Sequence, residues 1–449
     1  MRSVRVLLIS TYELGRQPFG LASPATWLQA EGHEVTLADL SCSPLPMQAV
    51  AQADLVAFFL PMHTATRLFL PVAEKVKAAN PRAHLCGYGL YAPLNDALLR
   101  RAGCATVIGG EFEQPLVDLA RRLAAGADGA QAQPLVSLER QQFRVPDRAG
   151  LPPLSSYASL VVNGATRRVG YTEASRGCKH LCRHCPVVPV YRGNFRVVQP
   201  EVVLADIRQQ VASGAEHITF GDPDFFNGPG HAARIVEALH REWPRLTYDA
   251  TIKIEHLLQH RDLLPRLQAT GCLFVTSAVE SLDDRILEKL AKGHTRADFV
   301  EALALTRSVG LPLAPTFIPF SPWTTLDSYR SFLRELADLN LAAEVAPIQL
   351  AIRLLIPEGS LLLELPEIRS LVELYNARAL AYPWRNPDPA LDRLCVSIQE
   401  QIKQQERRRT SRAEIFRVIW DLAGNGNFAE GAPRPDRSTI PYLTEPWYC

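Results

Sequence analysis

Short apolar runs alternate with helical stretches twice along this chain, and that alternation restricts its fold more than any other feature. In the first 115 residues, 4–10, 35–40, 55–60, 83–88 and 105–109 read as strands. Residues 20–31 read as a helix with Pro24 near its start and Gly32 past its end, and 65–79 as a helix with an apolar stripe. Short buried runs separated by helices specify a parallel, doubly wound sheet, so the first unit is a Rossmann-like α/β domain. Ligands in such sheets lie beyond the carboxyl ends of the strands. The pattern resumes from 168 to 350, with strands at 168–173, 217–220, 247–252, 273–279, 313–318 and 344–350 and a helix after each of the first five. From 351 onward the pattern turns mainly helical, clearest at 361–365, 368–381 and 391–405. Residues 126–167 are Pro-rich and Gly/Ala-rich and read as a linker. The domain plan is therefore 1–125, linker 126–167, 168–350 and 351–449.

The bulk numbers exclude several classes. A chain of 449 residues with 47% apolar content has ample core for about two or three domains. Its net charge of +1 offers no field for nucleic acid or an anionic membrane, and Arg407-Arg-Arg409 reads as a solvated face. The amino terminus opens directly into a buried strand, too short for a secretory leader, and no apolar run reaches the roughly 18 residues a membrane span needs. Nine cysteines in such a chain point to a reducing, cytoplasmic setting and to metal rather than disulfides.

Three of those cysteines fall in Glu173-Ala-Ser-Arg-Gly-Cys-Lys-His-Leu-Cys-Arg-His-Cys-Pro186. A CxxxCxxC loop offers three soft thiolates, from Cys178, Cys182 and Cys185, to one face of an iron–sulfur cluster. Three thiolates leave one iron of a four-iron cluster open, and an open metal position is where chemistry occurs. The competing use of the same residues is a zinc knuckle completed by His180 or His184.

This motif resembles the signature of radical S-adenosylmethionine (radical SAM) enzymes. The resemblance implies a [4Fe–4S] cluster whose open iron is chelated by SAM, and cleavage of SAM to methionine and a 5'-deoxyadenosyl radical. It also implies a partial (βα)6 barrel for 168–350, with function at the carboxyl ends of its strands. The family's aromatic residue before the third cysteine is here His184. Gly221 and Asp222, after the second barrel strand, occupy the family's SAM amino-group element, and Glu280-Ser281 matches its Glu-Ser segment at the end of the fourth strand. On residue chemistry alone, Ser281 reads as a helix N-cap, Lys292 as an i,i+4 partner of Glu288, and Thr316 as a β-branched strand residue, which the resemblance would set beside the adenosine pocket.

A doubly wound domain placed before such a motif resembles the cobalamin-binding domain of cobalamin-dependent radical SAM enzymes. Gly109-Gly110-Glu111 followed by Glu113 is similar to that family's strand-five loop, and the chain lacks the Asp-x-His-x-x-Gly that supplies a lower cobalt ligand. The resemblance implies that Tyr12, Gly15, Gly87, Gly89 and Gly110 cradle a corrin. The final residues, Thr444-Glu-Pro-Trp-Tyr-Cys449, and the stretch Thr11-Tyr-Glu-Leu-Gly-Arg-Gln-Pro-Phe-Gly20 resemble the radical SAM family with a CUAEP or CCAEP tail, in which this hexapeptide precedes a selenocysteine or cysteine. On that resemblance the sequence is expected to stop at a selenocysteine codon, and Cys449 is expected to serve the active site.

The expected function is therefore a radical SAM enzyme, cobalamin-dependent and methylating an unactivated carbon, acting on a small molecule or peptide and reduced by a flavodoxin or ferredoxin. A non-methylating radical SAM enzyme and a non-catalytic iron–sulfur sensor are the alternatives.

Overall fold

The computed structural model describes residues 2–126, 134–426 and 440–445. Its first unit is an all-parallel sheet of β1 (Arg5–Ser10), β2 (Glu34–Asp39), β3 (Leu55–Phe59), β4 (His84–Tyr88), β5 (Thr106–Gly110) and β6 (Val136–Ser137). The order is β2-β1-β3-β4-β5-β6. Every residue of β3 and β5 is buried, because helices cover both faces of the sheet. The strand order reverses between β1 and β3, and the switch point of such a sheet is its expected ligand crevice. The helix expected at 20–31 runs Phe19–Ala30 and keeps Pro24 inside. Proline has no N–H to give the carbonyl four residues back, and the Tyr88 hydroxyl donates to that Gly20 carbonyl instead, at 2.8 Å.

The second unit is a curled sheet, a half-barrel. It contains β7 (Ser159–Val162), β8 (Ala165–Thr172), β11 (His217–Phe220), β12 (Thr247–Thr251), β13 (Cys272–Glu280), β14 (Leu313–Phe317) and β15 (Tyr442–Leu443). The order is β14-β13-β12-β11-β8-β7-β15, with β8 and β11 to β14 parallel and β7 and β15 antiparallel to their neighbours. A separate ribbon, β9 (Ser175–Gly177) with β10 (Phe195–Val197), brackets the cysteine loop. The strand expected at 344–350 does not form. Pro347–Leu350 is a 3-10 turn, and pairing beyond β14 reduces to the bridge Phe320–Arg353. Pro347 lacks the N–H that a ladder needs.

Of the stretch read as a linker, residues 134–167 are built into both units. β6 extends the first sheet, β7 extends the second, and Phe143 and Leu154 enter the half-barrel core. Arg148 spans the gap with both Asp206 oxygens at 2.7 and 2.8 Å and with Gln17 at 2.8 Å. In the carboxyl-terminal region, the helix expected at 368–381 is limited to Pro366–Leu371. There Asn376 accepts from the backbone N–H of Arg378 and Ala379, which competes with helix continuation. The helices Pro389–Arg407 and Arg412–Leu422 pack Leu391, Ile398, Phe416 and Ile419 into the half-barrel core. Among the described residues, no helix is long and apolar enough to cross a membrane.

Candidate active site

The cysteine loop leaves β8 and docks on the first unit. Val187, Val190 and Tyr191, just past it, are buried in a core of the first sheet, with Cys178 and Cys185 packed alongside. Its backbone is pinned from two sides. Arg183 N–H donates to Leu290 O at 2.9 Å, its guanidinium to Glu288 O and Lys289 O, and Asn227 bonds Lys179 N–H and Gly177 O. Gly177 has φ +76, and a Cβ there would meet Tyr191 at 2.3 Å and Asn194 O at 2.5 Å.

Cys178, Cys182 and Cys185 are free thiols that feel one another's charge. Burial first, then the neighbouring cysteines, pushes Cys185 up to about 12; burial likewise raises Cys178. Three thiolates on one partly buried loop are stable only with positive charge beside them, which is what a bound metal cluster supplies. Lys292 answers part of that demand: burial opposes its charge, but Glu280, Cys182 and Cys185 raise its pKa. The donor set therefore fits an iron–sulfur cluster.

Glu280 stands beside this loop. It has φ +71 and follows a register shift in the β13–β14 pairing, a bulge that re-aims the end of the strand. Its Oε1 meets His184 Nε2 at 3.0 Å and Lys292 Nζ at 3.4 Å. Burial would raise its pKa, but Lys292 and His184 outweigh burial and hold it at about 2. His184 thus joins the third cysteine's turn to the end of β13. The expected Lys292–Glu288 pair is replaced by Lys292–Glu280, because the helix Asp284–Leu290 has already ended at Ala291 in a left-handed cap. That helix is capped by Asp283, not Ser281, whose hydroxyl accepts from Asp283 N–H.

Gly221 and Asp222 brace the loop from the end of β11. A Cβ on Gly221 would lie 1.9 Å from the Tyr171 hydroxyl. Asp222 accepts from Ala174 N–H at 2.9 Å and from the Ser175 hydroxyl at 2.5 Å, just ahead of the cysteines. Thr316 lies on β14 and lines a cavity inside the half-barrel.

On the first unit, Tyr12 donates to Glu445 Oε1 at 2.9 Å, and a Cβ on Gly15 would meet Glu445 and Ala158 at 2.8 Å. Gly87 is approached by Leu99, Gly89 by Leu60 and Phe59, and Gly110 by Ser137 O, so the close contacts at these three glycines are with this chain itself. At the switch point, Ser10 Oγ and Glu13 Oε2 are buried without hydrogen-bond partners. Cys449 lies outside the described residues.

Two groupings gave no sequence signal, since each joins residues far apart in the chain. Arg176, two residues before Cys178, is buried against Glu173 at 2.6 Å, Glu113 at 2.7 Å and Glu111 at 3.3 Å. It ties the loop after β5 directly to the cysteine loop. His180, the alternative zinc ligand, instead meets Lys253 Nζ at 3.1 Å and His256 Nε2 at 3.2 Å, and His256 Nδ1 lies 2.6 Å from Asp224.

Residues 172–336 match the model of the Radical SAM superfamily. The chain is 24% identical over 330 residues to the hopanoid C-3 methylase of Methylococcus capsulatus, covering 71% of this chain and 64% of that protein. It is 27% identical over 283 residues to the tRNA-2-methylthio-N(6)-dimethylallyladenosine synthase of Moorella thermoacetica, covering 56% of each. The chain thus spans less than two thirds of the length of these curated relatives. Among solved structures, the fold is similar to the radical SAM methyltransferase TsrM of Kitasatospora setae with tryptophan and a SAM analogue bound (TM-score 0.66, 18% identity, 82% of this chain and 77% of that one). It is also similar to the cobalamin-dependent radical enzyme OxsB with aqua-cobalamin (TM-score 0.66, 14% identity, 90% and 67%). These likenesses are of fold. Residues 172–336 are a radical SAM enzyme domain, preceded by a Rossmann-like domain.

Proposed function

We propose that this protein holds a [4Fe–4S] cluster on Cys178, Cys182 and Cys185, seats SAM beside Gly221, Glu280 and His184, and uses cobalamin to methylate an unactivated carbon of a small molecule. The observation that carries the reading is the convergence of three free thiols with Glu280, His184 and Lys292 at one end of the half-barrel, pressed against the first unit. The fold of the cobalamin-bound neighbour and the methylase relative support it.

When bound, the cluster supplies the electron that splits SAM, and cobalamin supplies a carrier for the methyl group. The protein's own part is positioning. The three thiolates hold the metal, and the Lys292 ammonium offsets their charge. Glu280, kept ionised by Lys292 and His184, presents a carboxylate for SAM's hydroxyl or ammonium donors. Asp222 fixes Ala174 and Ser175, and Arg176 fixes the same segment to Glu111 and Glu113. Ser10 and Glu13 offer unpartnered polar atoms at the switch point, which suits a polar ligand there. Tyr12, Gly15, Gly87, Gly89 and Gly110 shape the surrounding loops, and Cys449 stays in the reading as an active-site thiol. The electron donor is a flavodoxin or ferredoxin. The close packing at Gly87, Gly89 and Gly110 favours one second reading, a radical SAM enzyme that does not methylate.

Anaerobically reconstituted protein should carry about four irons and four sulfides, and Cys→Ala at 178, 182 and 185 should remove them. With SAM and reductant it should release 5'-deoxyadenosine, and hydroxocobalamin should co-elute with it. Stoichiometric zinc without iron sinks the reading. Iron without 5'-deoxyadenosine leaves a sensor, and 5'-deoxyadenosine with unbound cobalamin leaves the non-methylating enzyme. Full methyl transfer by Cys449→Ala removes the tail thiol from the mechanism.

A further inference from the structure

From Gly177 to Pro200 the chain carries four cations, Lys179, Arg183, Arg192 and Arg196, and no acidic residue, although the whole chain balances to +1. That segment is the cysteine loop and its return through β10. The Arg183 guanidinium donates to the carbonyls of Glu288 and Lys289, and that of Arg196 to Leu138 O, so neither charge is answered by a carboxylate. Lys179 and Arg192 are exposed and form no ion pair among the described residues.

The acids around the segment are mostly held by other groups. Glu367 feels Arg183, but Lys289 binds it at 2.6 Å. Glu255, 3.7 Å from His180, is bound by Lys253 at 2.8 Å. Asp224 is buried beneath the surface, 2.6 Å from His256. Glu288, whose carbonyl Arg183 holds, and Asp262, beside His260, are exposed and without an ion pair among the described residues. Four unpaired cations thus face two unpaired acids.

The same surface has an apolar centre. Leu181 lies between Cys178 and Cys182 and is 56% exposed, whereas Cys182 is buried. It rests against Gly193, where a Cβ would come 3.4 Å from Leu181 and 3.6 Å from Lys179 O. Arg192, the left-handed cap of the helix Val187–Tyr191, turns the chain back at this point. Val197, also exposed, continues the strip. A Cβ on Gly228 would meet Phe195 at 3.9 Å and Val197 at 4.0 Å, and Gly228 follows Asn227, which holds Lys179 N–H. Leu181 and Val197 therefore lie on one continuous patch, with Lys179 and Arg192 beside them.

A small apolar centre with a charged rim is the make-up of a transient protein interface. Its place selects the partner. Leu181 sits between two of the residues that would hold the cluster, and electron transfer falls steeply with distance. A donor seated here has only the loop between its own centre and the metal. We infer that this patch receives the protein's electron from an acidic one-electron carrier, whose flavin or iron–sulfur centre is ringed by carboxylates. This rests on the radical SAM reading of the cysteine loop. The carrier's carboxylates pair with Lys179 and Arg192, and Leu181 meets the apolar rim of its centre. One electron leaves the carrier, which is oxidised by one, and the cluster is reduced by one; no bond forms or breaks. Exposed charges of this kind steer encounter more than they tighten the complex, which suits a carrier that must leave after each delivery.

The test uses the cluster-loaded full chain under anaerobic conditions. Its probes are two acidic carriers, a reduced bacterial flavodoxin and a reduced ferredoxin. Photoreduced 5-deazariboflavin serves as a small uncharged reductant that needs no docking. Stopped-flow absorbance reads the rate of cluster reduction. With at least one carrier the wild-type rate should fall about tenfold or more as salt rises from roughly 0.05 to 0.5 M. Lys179→Glu with Arg192→Glu should lower the carrier-driven rate about tenfold or more at low salt, and leave the deazaflavin-driven rate within about twofold. Leu181→Ser should slow the carrier alone, by a smaller factor. If the double variant does not fold or load, Val197→Glu and the wild-type salt series decide. Failure of both carriers to reduce wild type, a carrier rate that ignores salt, or one that survives the substitutions overturns the inference. Binding of tRNA that the double variant abolishes, with the carrier rate unmoved, makes the patch an RNA surface instead. Wild type that deazaflavin cannot drive to release 5'-deoxyadenosine defeats the radical SAM reading. Deazaflavin-driven release with carrier reduction blind to charge defeats only the docking surface.

Discussion

Asp222→Asn should make the metal-free protein progressively more stable than wild type as pH rises. Asp222 is buried, with Ala174 N–H and the Ser175 hydroxyl as its donors. Burial is the largest influence, and it lifts the carboxyl from 3.8 to about 7 despite those hydrogen bonds. The folded protein therefore keeps a proton that the unfolded chain has already released between these two values. Stability contributed by the protonated form is complete at low pH and is lost as pH rises through that window. Asparagine carries no such proton in either state. With one pKa unit equal to 1.36 kcal/mol, the difference between variant and wild type should grow by roughly 2.5 kcal/mol from pH 5 to pH 8. Anaerobic urea denaturation at pH 5, 6, 7 and 8, with reductant and without iron, measures it. A difference that stays flat across the series would mean that Asp222 is ionised throughout and that its donors outweigh burial, and the reasoning would be wrong.

Arg176→Ala leaves Glu111, Glu113 and Glu173 together in the interior and should cost about 3–5 kcal/mol in the same denaturation assay, against near-neutral effects for exposed pairs such as Arg208–Glu242. Lys292→Met and Glu280→Gln should each destabilise, while the double variant costs less than the sum, with a coupling of about 1–3 kcal/mol. Gly221→Ala drives a methyl into the Tyr171 ring and should lower stability by about 1–3 kcal/mol; Tyr171→Leu in the same chain should recover part of that loss.

The first sheet was legible because its strands are short, apolar and punctuated, and periodicity reports burial directly. The five parallel strands of the half-barrel were legible for the same reason, and the cysteine spacing announced the cluster loop. The strand expected at 344–350 failed because an apolar run does not reveal whether a proline falls where the ladder needs a donor. The reading of 126–167 as a linker did not anticipate that residues 134–167 strap the two units together, since their contacts are single residues such as Phe143 and Arg148 without a period. In the site, Glu280 was visible as a strand-end carboxylate, but its pairing with His184 and Lys292 depends on a bulge and a left-handed residue. Arg176 and His256 were invisible for a related reason: each is defined by partners on other elements, and one sequence without its fold does not bring them together.

The strand β15 also dictates an order of assembly. Its anchor joins Ser159 to Thr444, residues 285 apart in sequence. Synthesis runs from the amino terminus, and domains generally fold as they emerge, so both sheets can form while this edge of the half-barrel is still bare. Until residue 444 arrives, the interior stays open along β7. Up to that point the outer edge of β7 has no strand partner, and the cavity that Tyr442 and Leu443 later line is open on that side. Filling that cavity should accordingly be faster in the nascent or tail-shortened chain than in the finished one.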